Sequence, residues 1–426
     1  MALTKIITDT IDLSSDTTAL KMPKGTTAQR PAAVDSTIGE TRENTTTGKM
    51  EIYTGAKGWR ALQQTGQDTG VVGTNNFDTI IYSNSGSTPA AITGLNFQPD
   101  LTWVKSRDYG YPNILADSVR GLGNNKMLIS DFNGEEGSTD ASYANCQKYG
   151  YISSLDINGF GVTSGTGAGS NGSYVGANGL GDYVSWNWKA GGAATTIGAG
   201  TVGNDIASEV SVNTAAGFSI VKYTATLLSA GNLDVAHGLG TAPEIIISKS
   251  LTTTAAWRVR PFFLNNSAYN YLELNNTNAI ADLNISDGTM AMPTANVFSN
   301  NWNGSIGGAA DIIAYCWTSI PGYSLIGSYT GTGSATDFPI IYTGFAPAWL
   351  MIKRTDSTGN WCIYDNKRDT TNPNNAVLAA NSANAQSYYA SGYEVNFYNN
   401  GFQIAVGPSV DINTAGGDYI FMCFAS

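Results

Sequence analysis

The sequence has little to catalyse with. It holds one histidine, His237, so a Ser-His-Asp, Cys-His or His-ligated metal centre would have to be built on that ring. Charged residues are 13% of the 426, against about 25% in ordinary soluble chains. The 22 Lys and Arg are outnumbered by 33 Asp and Glu, for a net charge of −11. An acidic chain without basic clusters excludes nucleic acid as a partner and disfavours an anionic membrane surface. No apolar run approaches the ~20 residues of a membrane span. The N-terminus Met1-Ala2-Leu3-Thr4-Lys5-Ile6-Ile7 lacks the basic-then-apolar order of a secretory signal. The expectation is a chain made in a cytoplasm, with no membrane insertion. Of four cysteines, Cys146, Cys316, Cys362 and Cys423, no pair has metal-ligand spacing, and free buried thiols are expected. No heptad run is present, so any oligomer forms through β surfaces.

What is present is a segment that occurs three times. Gly94–Lys105, Gly238–Lys249 and Gly344–Lys353 each run from a Gly through a Pro into an apolar stretch closed by a Lys six positions after the Pro. A Gly/Pro turn followed by β-branched and aromatic residues reads as a buried strand, and the Lys reads as its exit to solvent. Further marks recur. Leu128, Leu272 and Leu378 follow the Lys by 23, 23 and 25 positions, and then come Asn158-Gly159-Phe160, Val297-Phe298 and Asn400-Gly401-Phe402. Each copy closes on a strand that starts with Asp182, Asp311 or Asp418. Counting from the Asp, offsets 2, 4 and 6 are Val184, Trp186 and Trp188; Ile313, Tyr315 and Trp317; Ile420, Met422 and Phe424. Alternation puts these on one face, which is expected to be the core of each module.

With hydrophobic residues at 42% and Gly, Asn, Ser and Thr filling the charge gap, the chain has enough for real cores and favours turns and strands. The spacing predicts an all-β protein: a small N-terminal β-hairpin segment, residues 1–66, followed by three repeated β-sandwich (jelly-roll or lectin-like) modules at 67–195, 196–320 with its linker, and 321–426. The hairpin is read around the Asn44 to Gly48 turn and closed by Trp59. Gly161–Gly181 reads as an exposed loop, and Ala190–Asn204 as a linker. Ala376–Gln386 is the one stretch with helical character. The second copy departs most: Arg258-Val259-Arg260-Pro261 stands where the third has Trp361-Cys362-Ile363-Tyr364-Asp365, so it cannot do what Asp365 does.

The run from Arg30-Pro31 through Ile38-Gly39-Glu40-Thr41-Arg42-Glu43-Asn44-Thr45-Thr46-Thr47-Gly48-Lys49-Met50-Glu51-Ile52-Tyr53-Thr54-Gly55 to Gly58-Trp59 resembles the N-terminal segment of bacteriophage tail-fibre and virion-attached fibre proteins. The modules resemble a repeated module of phage structural proteins through Gly94–Asp108, Asp117–Gly121, Asn158–Val162 and Gly181–Gly192, and through Tyr342–Arg368, Asn400–Ile404 and Gly416–Ser426. The resemblance covers nearly all the chain. It implies a non-enzymatic virion structural protein, made in the host cytoplasm and placed on the tail or another surface appendage. Residues 1–66 would join other virion proteins, and the modules would meet host surface glycans or neighbouring subunits. Fibres of this type are commonly threefold, so a homotrimer is favoured. A capsid-attached decoration protein is the alternative, and a polysaccharide depolymerase spike the second.

The search for chemistry names no catalytic, cofactor-binding or metal-binding residue, and leaves the ligand-binding residues unknown. His237 sits in the turn before a repeat strand and reads as a polar turn residue. Gly167–Gly172 matches G-x-G-x-x-G without the strand and helix that would give it meaning. A glycosidase needs two spaced carboxylates; the one acidic cluster, Glu135-Glu136, reads as a solvated turn, and Asp182, Asp311 and Asp418 as strand caps. Trp257, Trp302 and Tyr388-Tyr389, near polar turns, are the aromatic candidates for exposure and sugar contact.

Overall fold

In a computed structural model of the chain, the described residues are 24–29, 41–44, 49–53, 59–61, 73–83, 86, 88–139, 145–167, 174–177, 181–225, 233–264, 267–283, 291–300, 309–388 and 392–426. The fold is all-β. Among these residues, α-helix is limited to the single turn Cys146–Tyr149. Two compact units form, Met1–Thr65 and Gly66–Ser426. In the first, Thr41–Asn44 and Lys49–Tyr53 make an antiparallel hairpin, with Lys24–Gly25 and Trp59–Ala61 on its two sides.

The second unit repeats one sheet order three times: opening, closing, lysine, fourth and leucine strand, all antiparallel. In the first repeat these are Phe77–Ser83, Asp182–Trp188, Leu101–Ser106, Ile114–Asp117 and Leu128–Ile129. In the second they are Phe218–Ala225, Ala310–Trp317, Ile245–Ser250, Arg258–Pro261 and Asn270–Glu273. In the third they are Ser324–Thr330, Asp418–Phe424, Trp349–Arg354, Trp361–Asp365 and Ala376–Ala379. The register repeats too: Val184, Ile313 and Ile420 of the closing strands face Lys105, Lys249 and Lys353. The repeat acids are cross-strand acceptors, with Ser83, Thr224 and Thr330 hydroxyls donating to Asp182, Asp311 and Asp418.

Each large sheet carries a small sheet on one face. These are Ala90–Thr93, Gly159–Thr163 and Tyr151–Asp156; then Leu233–Ala236 with Val297–Asn300; then Ile340–Tyr342, Gly401–Ile404 and Val395–Tyr398. The Asn-Gly-Phe mark explains itself here. A Cβ at Gly159 would lie 1.9 Å from the Ile92 carbonyl oxygen, and one at Gly401 2.1 Å from that of Ile341, so the neighbouring strand leaves no space for a side chain. Phe160, Phe298 and Phe402 fill the three sandwich interiors.

The bulky face of the closing strands is not the core of each repeat. Val184, Trp186, Trp188, Ile313, Tyr315, Trp317, Ile420, Met422 and Phe424 belong to one core shared by all three repeats. Each sandwich interior takes the opposite face: Tyr183, or Ile312, Ala314 and Cys316, or Tyr419, Phe421 and Cys423. The three large sheets thus turn their outer faces toward one another and bury both sides. At the centre Trp188 lies 5.5 Å from Trp349, 5.8 Å from Phe424 and 6.2 Å from Trp317. The central void is only about 10 Å³.

Three further expectations change. Part of the Gly161–Gly181 insertion folds inward, with Tyr174, Val175 and Ala177 in the first interior. Within the presumed linker, Thr195–Ile197 is a strand paired with Ser208–Asn213. Ala376–Ala379 is the leucine strand, because its partner Trp361–Asp365 overrides a weak helical preference. Because one core serves three repeats, calorimetry of the 66–426 unit should show one unfolding transition, and Trp317→Ala should destabilise it by about 3–5 kcal/mol. Three separable transitions would contradict the shared core.

Candidate functional site

A set of buried polar side chains holds the seams between the repeats of the second unit. At the first position of each seam stand Asn113, Trp257 and Trp361, all buried. Each donates to the carbonyl that follows the repeat leucine of the next repeat: Asn113 Nδ2 to Ala379 O at 3.2 Å, Trp257 Nε1 to Ile129 O at 2.8 Å, and Trp361 Nε1 to Glu273 O at 3.0 Å. The first repeat reaches the third, the second the first, and the third the second. The contacts run in one direction and close a ring.

The repeat lysines lie in the same seams. Lys105, Lys249 and Lys353 are fully buried, which corrects the reading of them as exits to solvent. Each ammonium donates to the carbonyl of the next residue in its own chain, Ser106 at 2.9 Å, Ser250 at 2.9 Å and Arg354 at 2.7 Å. Lys105 also reaches Ala383 O at 3.0 Å, and Lys353 reaches Thr277 O at 3.2 Å, both across a seam. Carbonyls accept from all three, and among the described residues no carboxylate makes a direct ion pair with any of them. Burial therefore pulls Lys105 and Lys249 down to about 7 and Lys353 to about 8.

Two seams hold a matched acid. Asp117 and Asp365 end the fourth strands of repeats one and three, and the Asp-x-x-Arg sequence folds the same way in both. Oδ1 accepts backbone N–H groups of the following turn, and Oδ2 pairs with Arg120 Nε or Arg368 Nε at 2.5 Å. Oδ2 also accepts from the neighbouring repeat: Tyr315 OH at 2.7 Å for Asp117, and Trp186 Nε1 at 3.0 Å for Asp365. The second repeat has Pro261 at this place, and the residue equivalent to Trp186 and Tyr315 is Met422. Acid and donor are lost together, so no buried polar group is orphaned by the exchange.

The other sequence candidates are also structural. His237 is buried; its Nδ1 accepts from the Leu239 N–H at 3.2 Å, which assigns the proton to Nε2, donating to Thr294 O at 3.1 Å. Burial holds its pKa down to about 4. Glu136 is no solvated turn, since it pairs with Arg120 at 3.0 Å and Lys126 at 2.9 Å. Trp257 is buried in a seam, not exposed. Tyr388 lies in the strand Ser387–Tyr388. Trp302 and Tyr389 lie outside the described residues. The four cysteines are free and buried. Among the described residues no three His, Cys, Asp or Glu side chains gather as a metal site, and no helix is long and apolar enough to cross a membrane.

Among the surfaces that lie open outside the seams, two bear on ligand binding. A polar groove of about 560 Å³ is lined by Asn76, Gln98, Asp100, Lys189 and Asn213, without an aromatic ring. Asp100 is committed there, accepting from the Ala190 and Gly192 N–H groups. The second surface is the outward face of the small sheet in the third repeat. Register sets Tyr342, Gly401 and Tyr398 in one row, and Ile340, Gln403 and Asn396 in the next. Tyr342 is 69% exposed, Ile340 50% and Tyr398 40%. Gln403 Oε1 accepts from Tyr398 OH at 2.8 Å and from Asn396 Nδ2 at 3.0 Å. Sequence reasoning did not single out these residues. The available signal was that Tyr342 and Tyr398 flank repeat marks where the first copy has Thr93 and Asp156.

The buried lysines set a pH dependence. Their folded pKa values lie below the unfolded value of about 10.4, so above about pH 7 the unfolded chain holds protons that the folded chain has released. Stability therefore rises with pH in this range. The charges facing them are Asp131 and Arg368 at Lys105, Glu135 at Lys249, and Asp411, Arg354 and Asp356 at Lys353. The buried cysteines, pushed up by burial, act in the opposite sense above about pH 8.5. Denaturant unfolding between pH 7 and 8.5 should show stability rising by on the order of 1 kcal/mol per lysine. Lys105→Met should remove its share of the slope; an unchanged slope would contradict the assignment.

No curated protein and no solved structure matches the chain. One family model does, over residues 73–426, the stretch that builds the ring. The chain therefore belongs to the family described as Domain of unknown function (DUF7483).

Proposed function

We propose that this chain is a non-enzymatic structural protein of a bacteriophage virion, a tail-fibre or similar appendage subunit that serves host-surface attachment, with residues 1–66 joining it to the particle. The observation that carries the reading is the use of the buried polar groups. Asp117 and Asp365, each paired with the arginine of its own turn, accept from the facing repeat, and Lys105 and Lys353 donate across a seam; all four are fully buried. A protein whose interior chemistry is spent on rigidity, and whose charge is sparse, suits exposure on a particle. The resemblance of the N-terminal run to fibre attachment segments adds the particle itself. The ring also bears on assembly: the inward faces of the large sheets are already covered within one chain, so no second copy is needed to bury them.

Antibody raised against residues 73–426 should label tail appendages of intact particles in electron micrographs. Label spread over the head lattice would overturn the appendage assignment in favour of a decoration protein. Incubation of the purified chain with capsular polysaccharide of the host should release no reducing ends, and sustained release would overturn the non-enzymatic reading.

A further inference from the structure

We infer that the outward face of the third repeat's small sheet is a binding site for a neutral glycan, with Tyr342 and Tyr398 as its stacking walls. The inference deepens the attachment reading, and rests on it only for where the glycan is found.

Neighbouring strands lie ~4.8 Å apart, so Tyr342 and Tyr398, one strand to either side of Gly401, stand about 10 Å apart at their backbones. A short oligosaccharide bridges that span. Gly401 puts no side chain between them, which leaves the row open at its middle. Aromatic faces suit the C–H surfaces of sugar rings, and a tyrosine adds a hydroxyl at the rim. The second row supplies hydrogen bonding. The bonds from Tyr398 OH and Asn396 Nδ2 to Gln403 Oε1 fix the amide orientations. Gln403 Nε2, Asn396 Oδ1 and Tyr342 OH then have no partner among the described residues, and can meet ring hydroxyls as donor, acceptor or either.

Two further observations select this occupant. The six outward positions, Ile340, Tyr342, Asn396, Tyr398, Gly401 and Gln403, carry no charge, on a chain of net charge −11. A neutral ligand fits that patch, whereas an anionic glycan meets the repulsion of the whole chain. The repeats also act as an internal control. The same sheet positions hold Ala91, Thr93, Ser154, Asp156, Gly159 and Gly161 in the first repeat, and Asp234, Ala236, Val297 and Ser299 in the second. The sheet forms without aromatic residues there, so Tyr342 and Tyr398 are not required by the fold.

The test is binding of the full chain to an array of neutral oligosaccharides built from hexoses and N-acetylhexosamines. Retention of at least one structure is expected. Tyr342→Ala or Tyr398→Ala should weaken it about tenfold, the double variant should abolish it, and Tyr342→Phe should keep most of it. Thr93→Ala, at the matching place in the first repeat, should change nothing. All these positions are exposed or half-buried, so an unchanged melting temperature shows that each variant is folded. No retention by the wild-type chain would overturn the inference, and so would retention indifferent to both tyrosines. Concentration-dependent dimerisation that Tyr342→Ala removes would assign the face to a second copy instead. Label on the head lattice together with glycan retention would overturn the appendage reading and leave this site standing; the reverse pair would do the opposite.

Discussion

The second unit depends on the mutual burial of three large β-sheets. An antiparallel sheet ordinarily buries one face and leaves the other in water. Here each sheet packs one face on its own small sheet and the other on its two sisters, so both alternating sets of side chains are withdrawn from solvent. Much else follows from that constraint. Aromatic residues fill the centre because three flat surfaces meeting at an axis leave a space that short side chains cannot close. The indole N–H groups of Trp188, Trp317 and Trp349 accept the cost of finding no acceptor among the described residues. At the seams, buried polar side chains find carbonyls of the neighbouring repeat.

The seams show how a buried charge is tolerated. In two of them an aspartate is saturated by its own turn, by an arginine and by one donor from the facing repeat. The equivalent place in the second repeat is apolar, with Pro261 on one side and Met422 on the other, and Phe263 and Leu264 packed on the central core. A buried ion pair is easily replaced by packing when both partners go, and costly when only one does. This chain contains both solutions at one structural position. The same repeat takes charge elsewhere: Arg260, where the others have Ala116 and Tyr364, is buried against the Ser299 and Ala268 carbonyls and over the Phe262 ring.

Much of this architecture was legible in the sequence. Pro-to-Lys spacing, the recurring leucines, the Gly-Phe pairs and the acid-led closing strands mark the strands of the second unit. Alternation says which residues are buried but not against what. In Asp182–Trp188 both faces are withdrawn from water, and a period of two cannot tell the sister sheets from the small sheet. The lysines misled because charge is ordinarily a sign of solvent. Their retention in three copies of a charge-poor chain was the available counter-signal. The matched loss of acid at Pro261 and of donor at Met422 was also visible, but only the ring makes the two positions neighbours. The tyrosine face was illegible for a different cause: its residues come from one hairpin and a strand distant from it in sequence, and only register sets them in rows.

Carrying three repeats on one polypeptide removes a restriction that identical subunits impose. In an assembly of three equal copies, any surface substitution appears three times, and a pair of exposed tyrosines would appear as three pairs. Here the repeats hold the same backbone plan and different outer faces, Thr93 and Asp156 in one, Tyr342 and Tyr398 in another. The shared interior keeps the three mutually bound, while each exterior drifts alone. A fused ring can thus dedicate one flank to one task and leave its siblings free for others.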